Sequence, residues 1–245
     1  MVDDYPVIVA ANRDEHYDRP SMTPYLWSTE PKILAGKDLL AGGTWLGVNE
    51  HGLLVGILNR RSNNAPDPLT RTRSRGLLCL DLLNLESAAA ARAFVTRHRE
   101  TYQPFTVVFV DSTEAWTAYN LGQEIKTHRL NEGLHVYSSA AAFDTRSVKI
   151  DRAHQQFAQI VGGLGPNRGD RGAWVRALRA VLGDHTLGND SDDPREAICV
   201  HGEISGTVSS TIILCSQLER RFYTFNCSGP PCQGVFDEAL TLDGG

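Results

Sequence analysis

An α+β fold with largely antiparallel sheets is what this sequence predicts, and three observations carry the prediction. Strand-like runs mostly follow one another directly, which antiparallel pairing through short turns allows and parallel pairing does not. Helix-like segments come in two groups, one after the first strands and one before the last. No repeat and no composition break divides the 245 residues. A single domain over 1–245 is therefore expected, with a folded core over 1–228 and a Pro- and Gly-rich tail over 229–245. Helix groups packed on antiparallel sheets give a layered domain.

The elements follow in order. "PVIVAANRD" is the first strand, apolar on both faces until Asn12, as for a strand covered on both sides. "KILAGKD" (32–38) is the second. "GTWLGVNEHGLLVGILN" (43–59) reads as a hairpin around Asn49-Glu50-His51-Gly52, with glycine where positive φ costs little. "RRSNNAPDPLTRTRSRG" (60–76) holds two prolines, two asparagines and five arginines, a loop composition. Residues 76–100 read as two short helices, with Leu77, Leu78, Leu82 and Leu85 at helical spacing. Ser74 is the expected cap of the first, and Glu86 or Ser87 of the second. Strands are predicted at 105–111, 114–120, 124–129 and 134–138, and helices at 147–162 and 171–183. The acidic stretch 183–196 reads as a solvated loop, and 208–215 with 219–226 as a closing hairpin.

Composition excludes several classes. Hydrophobic residues make up 41% and charged residues 22%, enough for a sizeable core. The net charge of −5 disfavours nucleic acid or an anionic membrane as the general partner. A small-molecule ligand is the expected partner, and the arginines of the 60–76 loop suit an anionic one. No apolar run reaches the roughly 20 residues needed to cross a bilayer. "MVDDYPVIV" lacks the basic start and cleavage site of a signal peptide, so a cytoplasmic location is expected. Nothing in the sequence selects an oligomeric state. Nucleotide-binding loops, GxSxG and HExxH are all missing.

The five cysteines lie at 79, 199, 215, 227 and 232 with no CxxC pair, so no metal site is expected. Cys79, Cys199 and Cys215 read as small buried hydrophobes. The candidate chemistry lies at strand ends instead. Asn12, Arg13 and Asp14 end the first strand, where a rigid backbone meets an open tip. Asn59 ends "LLVGILN", where a buried amide can donate to a developing oxyanion. Arg60 and Arg61 follow it. Trp45, among Gly42, Gly43 and Gly47, and Ser139 complete the ligand-binding candidates.

Taken together, "AANRDEHYDRP", "LAGGTWLGVNEHGLLVGILN" and "SRGLL" resemble the NRDE family, also called the transport and Golgi organisation protein 2 family. "GTVSST" (206–211) matches a second, weaker block. The family is similar to N-terminal nucleophile hydrolases of the penicillin V acylase and bile-salt hydrolase group. That resemblance implies a four-layer αββα sandwich. It implies a terminal cysteine whose thiolate attacks an amide, with its own α-amine as base; such an amine has a pKa near 8. It assigns orientation of the amine to Asp14 and the oxyanion contact to Asn59.

Four positions depart from the acylase pattern. The chain begins "MVDDYPV", without a terminal cysteine. Ala11 stands where those enzymes have Arg, with Arg13 two residues on. Ser138-Ser139 stands where they have Ser-Asn, and Val208 where the family's "GTRSS" block has Arg. A strand beginning Met-Cys is expected ahead of the "DYP" turn, so the fold reads as lacking its first strand. Two functions follow from the resemblance: an amide (C–N) hydrolase if that cysteine exists, or a non-catalytic protein that binds and traffics haem, lipid or acyl-CoA. No cofactor is expected, haem being considered only as a ligand, with His16 and His51 the histidines nearest the motifs.

Overall fold

The computed structural model describes residues 4–60, 73–97, 102–121, 124–139, 147–163, 170–188 and 191–244. In chain order the first half carries β1 (Val7–His16), β2 (Ser21–Trp27), β3 (Ile33–Asp38), β4 (Leu46–Asn49), β5 (Leu54–Asn59), α1 (Arg75–Leu83), α2 (Ala88–Arg97) and β6 (Phe105–Val110). There follow β7 (Ala115–Leu121), β8 (Glu124–Leu130), α3 (Val148–Gly163), α4 (Arg171–Leu182), β9 (Ser205–Ser216), β10 (Arg221–Ser228) and β11 (Leu240–Asp243). The strands form two sheets, one ordered β1-β9-β10-β11 and one running β2 to β8 in sequence order. The chain divides into two compact units. One holds residues 1–19, 132–137 and 146–241, the other 20–131, 138–145 and 242–245.

In the first unit α4 lies on the sheet. Its apolar stripe, Trp174, Leu178 and Leu182, meets Ile212 and Leu214 of β9, with Ile8 and Ala10 of β1 at the margin. The helix starts at Asp170, whose Oδ1 accepts the Gly172 N–H at 2.8 Å, an N-cap that satisfies an otherwise orphan donor. Strand β1 pairs antiparallel with β9 and is the outer strand of its sheet. Val7 to Asn12 are therefore half-buried rather than covered on both sides as the sequence suggested. The apolar run stayed legible, but the edge position is a property of the sheet.

The second unit packs α1 and α2 on its seven-stranded sheet. Leu78, Leu82, Ala88, Ala91 and Val95 meet Val107 and Phe109 in a core closed to solvent. Two sequence motifs touch here. A Cβ on Gly43 would fall 2.1 Å from the carbonyl carbon of Gly76, and Thr44 N–H donates to the Gly76 carbonyl at 3.0 Å. The glycines of "AGGTW" and "SRGLL" thus exist for one another: backbone approaches backbone where no side chain fits. Ser74 takes the N-cap position of α1 without a side-chain bond. In α2 the Ser87 hydroxyl accepts from Ala90 N–H at 3.2 Å, and Asp111 adds a cap from a distant turn, accepting from Ala88 N–H at 2.7 Å.

The structure departs from the sequence reading in three more places. Strand β2 had no clear signal, because Pro24 lies within it; a register shift between Met22 and Tyr25 accommodates the proline. Residues 134–138 form no strand, since their apolar anchor Val136 packs against Ala153, Val181 and Ile198 instead of joining a ladder. The segment from Gly229, expected as a tail, carries β11, and Asp237 N–H bonds the Asn226 carbonyl at 2.8 Å. Of the expected loop 60–76, residues 61–72 lie outside the described residues.

Candidate functional site

The polar end of β1 is built by a bulge in its partner. Asn12 faces Ser210 and Arg13 faces Ser209, but Asp14 faces Thr207, so Val208 is the extra residue in β9. Residues directly opposite share a face. The bulge therefore turns both Ser210 and Thr207 towards the side of Asn12 and Asp14, which regular alternation along β9 would forbid. Its carbonyl is not wasted, since Gly229 N–H donates to Val208 O at 2.9 Å. Val208 is this bulged position.

Asn12 is a clamp. Its Nδ2 donates to the carbonyls of Leu182 and Ile198, both at 2.9 Å, and its Oδ1 accepts from the Ser210 hydroxyl. It thereby ties β1 to the last turn of α4 and to the segment before Cys199. Asp14 is held on both oxygens. Oδ1 accepts from the Thr207 hydroxyl at 2.6 Å, and Oδ2 lies 3.7 Å from Lys149 Nζ. The Thr207 hydroxyl also accepts from Val200 N–H at 2.9 Å. Arg13 is buried. The structure thus brings Asn12, Arg13 and Asp14 together with Thr207, Ser210 and Lys149, none of which sequence reasoning singled out. A Thr three positions before a Ser in "TVSS" signals nothing until the bulge is known.

The other candidates, His16 apart, belong to the second unit. Asn59 ends β5 as expected, opposite Phe105 of β6, but its residue is exposed rather than buried. Arg60 has its guanidinium carbon 4.7 Å from the centre of the Tyr119 ring. Arg61 lies outside the described residues. Trp45 is half-buried beside Gly36, where an added Cβ would come within 2.6 Å of its ring. Ser139 is half-buried in a turn. His16 and His51 are exposed.

Asn49, read from sequence as a turn residue, is a second clamp. It is fully buried, donates to the Leu83 and Leu85 carbonyls at 2.8 Å each, and accepts from His51 and Leu53 N–H at 3.1 and 3.0 Å. Its two donated bonds join the hairpin to the end of α1, and its two accepted bonds close the hairpin's own turn.

The cysteines offer little nucleophilic power as they stand. Burial pushes the Cys79 thiol far up and that of Cys215 to about 11. Burial, with Cys232 beside it, pushes Cys199 to about 12. Burial also raises Cys227. A thiol must ionise to attack, so these four are protonated and quiet at neutral pH. Cys199 is nonetheless not simply a core hydrophobe: its Sγ lies 3.7 Å from Cys232 Sγ and 3.6 Å from His201 Nε2.

The fold is similar to that of the N-terminal nucleophile hydrolases. Penicillin V acylase from Agrobacterium tumefaciens superposes with a TM-score of 0.55 at 13% identity, over 89% of this chain and 78% of that one. A mutant of conjugated bile acid hydrolase from Clostridium perfringens gives 0.55 at 10% identity, over 94% and 88%. Likeness at such identity speaks for the fold alone.

Within that fold, the chain belongs to the Transport and Golgi organisation 2 family, whose model matches residues 2–224. The Bos taurus Transport and Golgi organization protein 2 homolog is 32% identical over 242 residues, spanning 86% of this chain and 82% of the bovine protein. The Mus musculus homolog is 34% identical over 113 residues, 44% of this chain. In the mouse and human alignments the chain spans only 39% and 41% of those relatives' length. Among the described residues no helix is long and apolar enough to cross a membrane.

Proposed function

We propose that this protein is the body of an amide (C–N) hydrolase of the N-terminal cysteine type, in which Asp14 orients the α-amine of the nucleophile. One observation supports this most: β1 is an outer strand of half-buried apolar residues, and it ends at a carboxylate held by Thr207 and Lys149. A strand bearing the cysteine would pair along the free side of β1, as an added strand does at any open sheet edge. Its α-amine would then lie beside Asp14.

The chemistry balances without redox. The thiol proton passes to the α-amine, and the sulfur attacks the amide carbonyl carbon. The C–N bond then breaks as the departing amine takes that proton. Water cleaves the resulting thioester, releasing the acid and restoring the thiol. Asp14 contributes by accepting a hydrogen bond from the amine and so keeping its lone pair aimed at the thiol.

The test is to express the chain with its upstream coding sequence in frame, so that a terminal cysteine is exposed. Labelling by a thiol-directed electrophile and release of amine from a panel of N-acyl amino acids are the readouts. Turnover that falls at least ~100-fold in Asp14→Asn is the expected result. An upstream reading frame without cysteine, or neither labelling nor turnover in the extended chain, overturns it. Asn59→Ala in the active extended chain tests the oxyanion role that the resemblance implies.

A second reading has its own observation. One guanidinium nitrogen of Arg60, Nη1, is buried with no hydrogen-bond partner among the described residues. A cation with a buried free donor suits a carboxylate or phosphate, as carried by haem or acyl-CoA. In this reading the protein binds such a ligand without chemistry. Haem titration followed by Soret absorbance, and acyl-CoA titration by calorimetry, check it; no saturable binding at micromolar ligand removes it.

A further inference from the structure

We propose that Cys199, Cys232, His201 and His185 form a zinc site, independent of the amide-hydrolase reading. Tetrahedral zinc with Zn–S about 2.3 Å and Zn–N about 2.0–2.1 Å requires sulfur atoms about 3.8 Å apart and sulfur–nitrogen edges of about 3.5–3.6 Å. Here the two Sγ atoms are 3.7 Å apart, and His201 Nε2 lies 3.6 Å from Cys199 Sγ and 3.3 Å from Cys232 Sγ. Three ligand atoms thus already form one face of the coordination tetrahedron. His185 lies alongside: a nitrogen of its ring is within 4.8 Å of a His201 ring nitrogen and of Cys232 Sγ, and the two imidazoles meet edge to face with centroids 5.7 Å apart, so a turn of the exposed His185 side chain would supply the fourth ligand.

The surrounding backbone holds these groups in place. Cys199 and His201 flank Val200, and both side chains reach Cys232 Sγ. Cys199 N–H donates to the Asp184 carbonyl at 2.8 Å, which sets His185 beside it. Val200 N–H is fixed by the Thr207 hydroxyl. Cys232 arrives on a turn closed by bonds from the N–H groups of Gln233 and Gly234 to the Pro230 carbonyl, at 3.0 and 2.9 Å. That turn presses on the end of α4, where a Cβ on Gly183 would lie 3.2 Å from Cys232 Cα. Asp184 is itself pinned by Gln156 and by the Thr186 N–H. The cluster is sheltered on one side and open on the other: Cys199 is buried, Cys232 half-buried and both histidines exposed, which leaves a path for the ion.

Two thiolates with two imidazoles in tetrahedral array select zinc over magnesium or calcium, which prefer oxygen ligands. On binding, two S–H bonds break, two Zn–S bonds form and two protons go to solvent. The imidazoles bind neutral, and no oxidation state changes.

The experiment uses the full chain, purified under reducing conditions with zinc and then gel-filtered. Elemental analysis is expected to find one zinc per chain. Replacement by cobalt(II) is expected to give thiolate-to-metal charge transfer and the intense visible bands of a tetrahedral site. Cys232→Ser and His201→Asn should weaken binding by more than the ~100-fold that loss of an outer hydrogen-bonding partner brings, while Cys215→Ser leaves it unchanged. Absence of both retained zinc and a cobalt–thiolate band in the reduced wild-type chain overturns the proposal. So does recovery of Cys199 and Cys232 only as a disulfide with no metal uptake after reduction, or undiminished binding in the Cys232→Ser variant. The wild-type cobalt spectrum decides the matter even if a variant fails to fold.

Discussion

Asn12 and Asn49 do the same job in different surroundings. Each reaches from a strand or hairpin to the last carbonyls of a helix, α4 through Leu182 and α1 through Leu83. Helix ends leave carbonyls without partners, and a side-chain amide is one way to satisfy them. Asn49 is sealed in, and its four bonds all serve the fold. Asn12 is only partly buried, two residues from Asp14, and one of its carbonyl partners immediately precedes Cys199. The comparison teaches that a motif asparagine marks a junction. Whether chemistry sits beside it depends on what the junction leaves open.

The largest test of this contrast is Asn49→Ala. Two carbonyls and two N–H groups would be left unpaired in a closed core, so a loss of about 4 kcal/mol is expected in urea unfolding. A loss below ~1 kcal/mol would mean that water or a shifted turn replaces the amide. Next comes Gly43→Ala, which drives a methyl into the Gly76 backbone. About 3 kcal/mol is expected by the same measurement, with Gly76→Ala milder because its nearest contact would be 3.2 Å. Equal costs would show that the close approach is not as asymmetric as the geometry indicates.

Asn12→Ala should cost less, about 2 kcal/mol, since its site admits water. It should also speed the reaction of Cys199 and Cys232 with a thiol reagent by freeing Ile198. Asn49→Ala, measured below its unfolding transition, should leave that rate unchanged. If both variants lose the same stability and neither alters thiol reactivity, the two clamps are equivalent and the contrast fails.

The smallest effect is a pH dependence in the second unit. Burial raises the Asp111 carboxyl, but bonds from Thr113, Ala88 and Glu114 outweigh it and hold the group below its usual 3.8. A depressed carboxyl stabilises the fold above its unfolded value and loses that contribution as pH falls towards the folded one. Solvent screens a partly exposed group, which keeps the effect small. Below the ordinary carboxylate value, wild-type stability should therefore drop by about 0.5 kcal/mol more than that of Asp111→Asn, read as Tm against pH. Parallel curves would mean that Asp111 does not cap α2 as a charged group.

Much of the fold was legible because periodicity is local. The 3.6-residue stripe of α4 and the 43–59 hairpin depend on neighbours along the chain. Strand β2 was not, since Pro24 argues against a strand unless a register shift absorbs it. Of the candidate site, Asn12, Arg13 and Asp14 were found as a polar strand end. Thr207 and Ser210 were hidden because a bulge changes which residues share a face. The meeting of residues 185, 199, 201 and 232 was hidden because they have no metal-binding spacing along the chain.

By itself, the sequence determined the α+β class, the order of most elements and the family whose motifs it carries, all functions of side-chain type at short spacing. Only the tertiary structure decided that β1 is an outer strand, that Gly43 answers to Gly76, and that two cysteines and two histidines converge. Those facts depend on which distant backbones lie side by side. That is set by sheet order and helix docking, which short-range pattern does not encode.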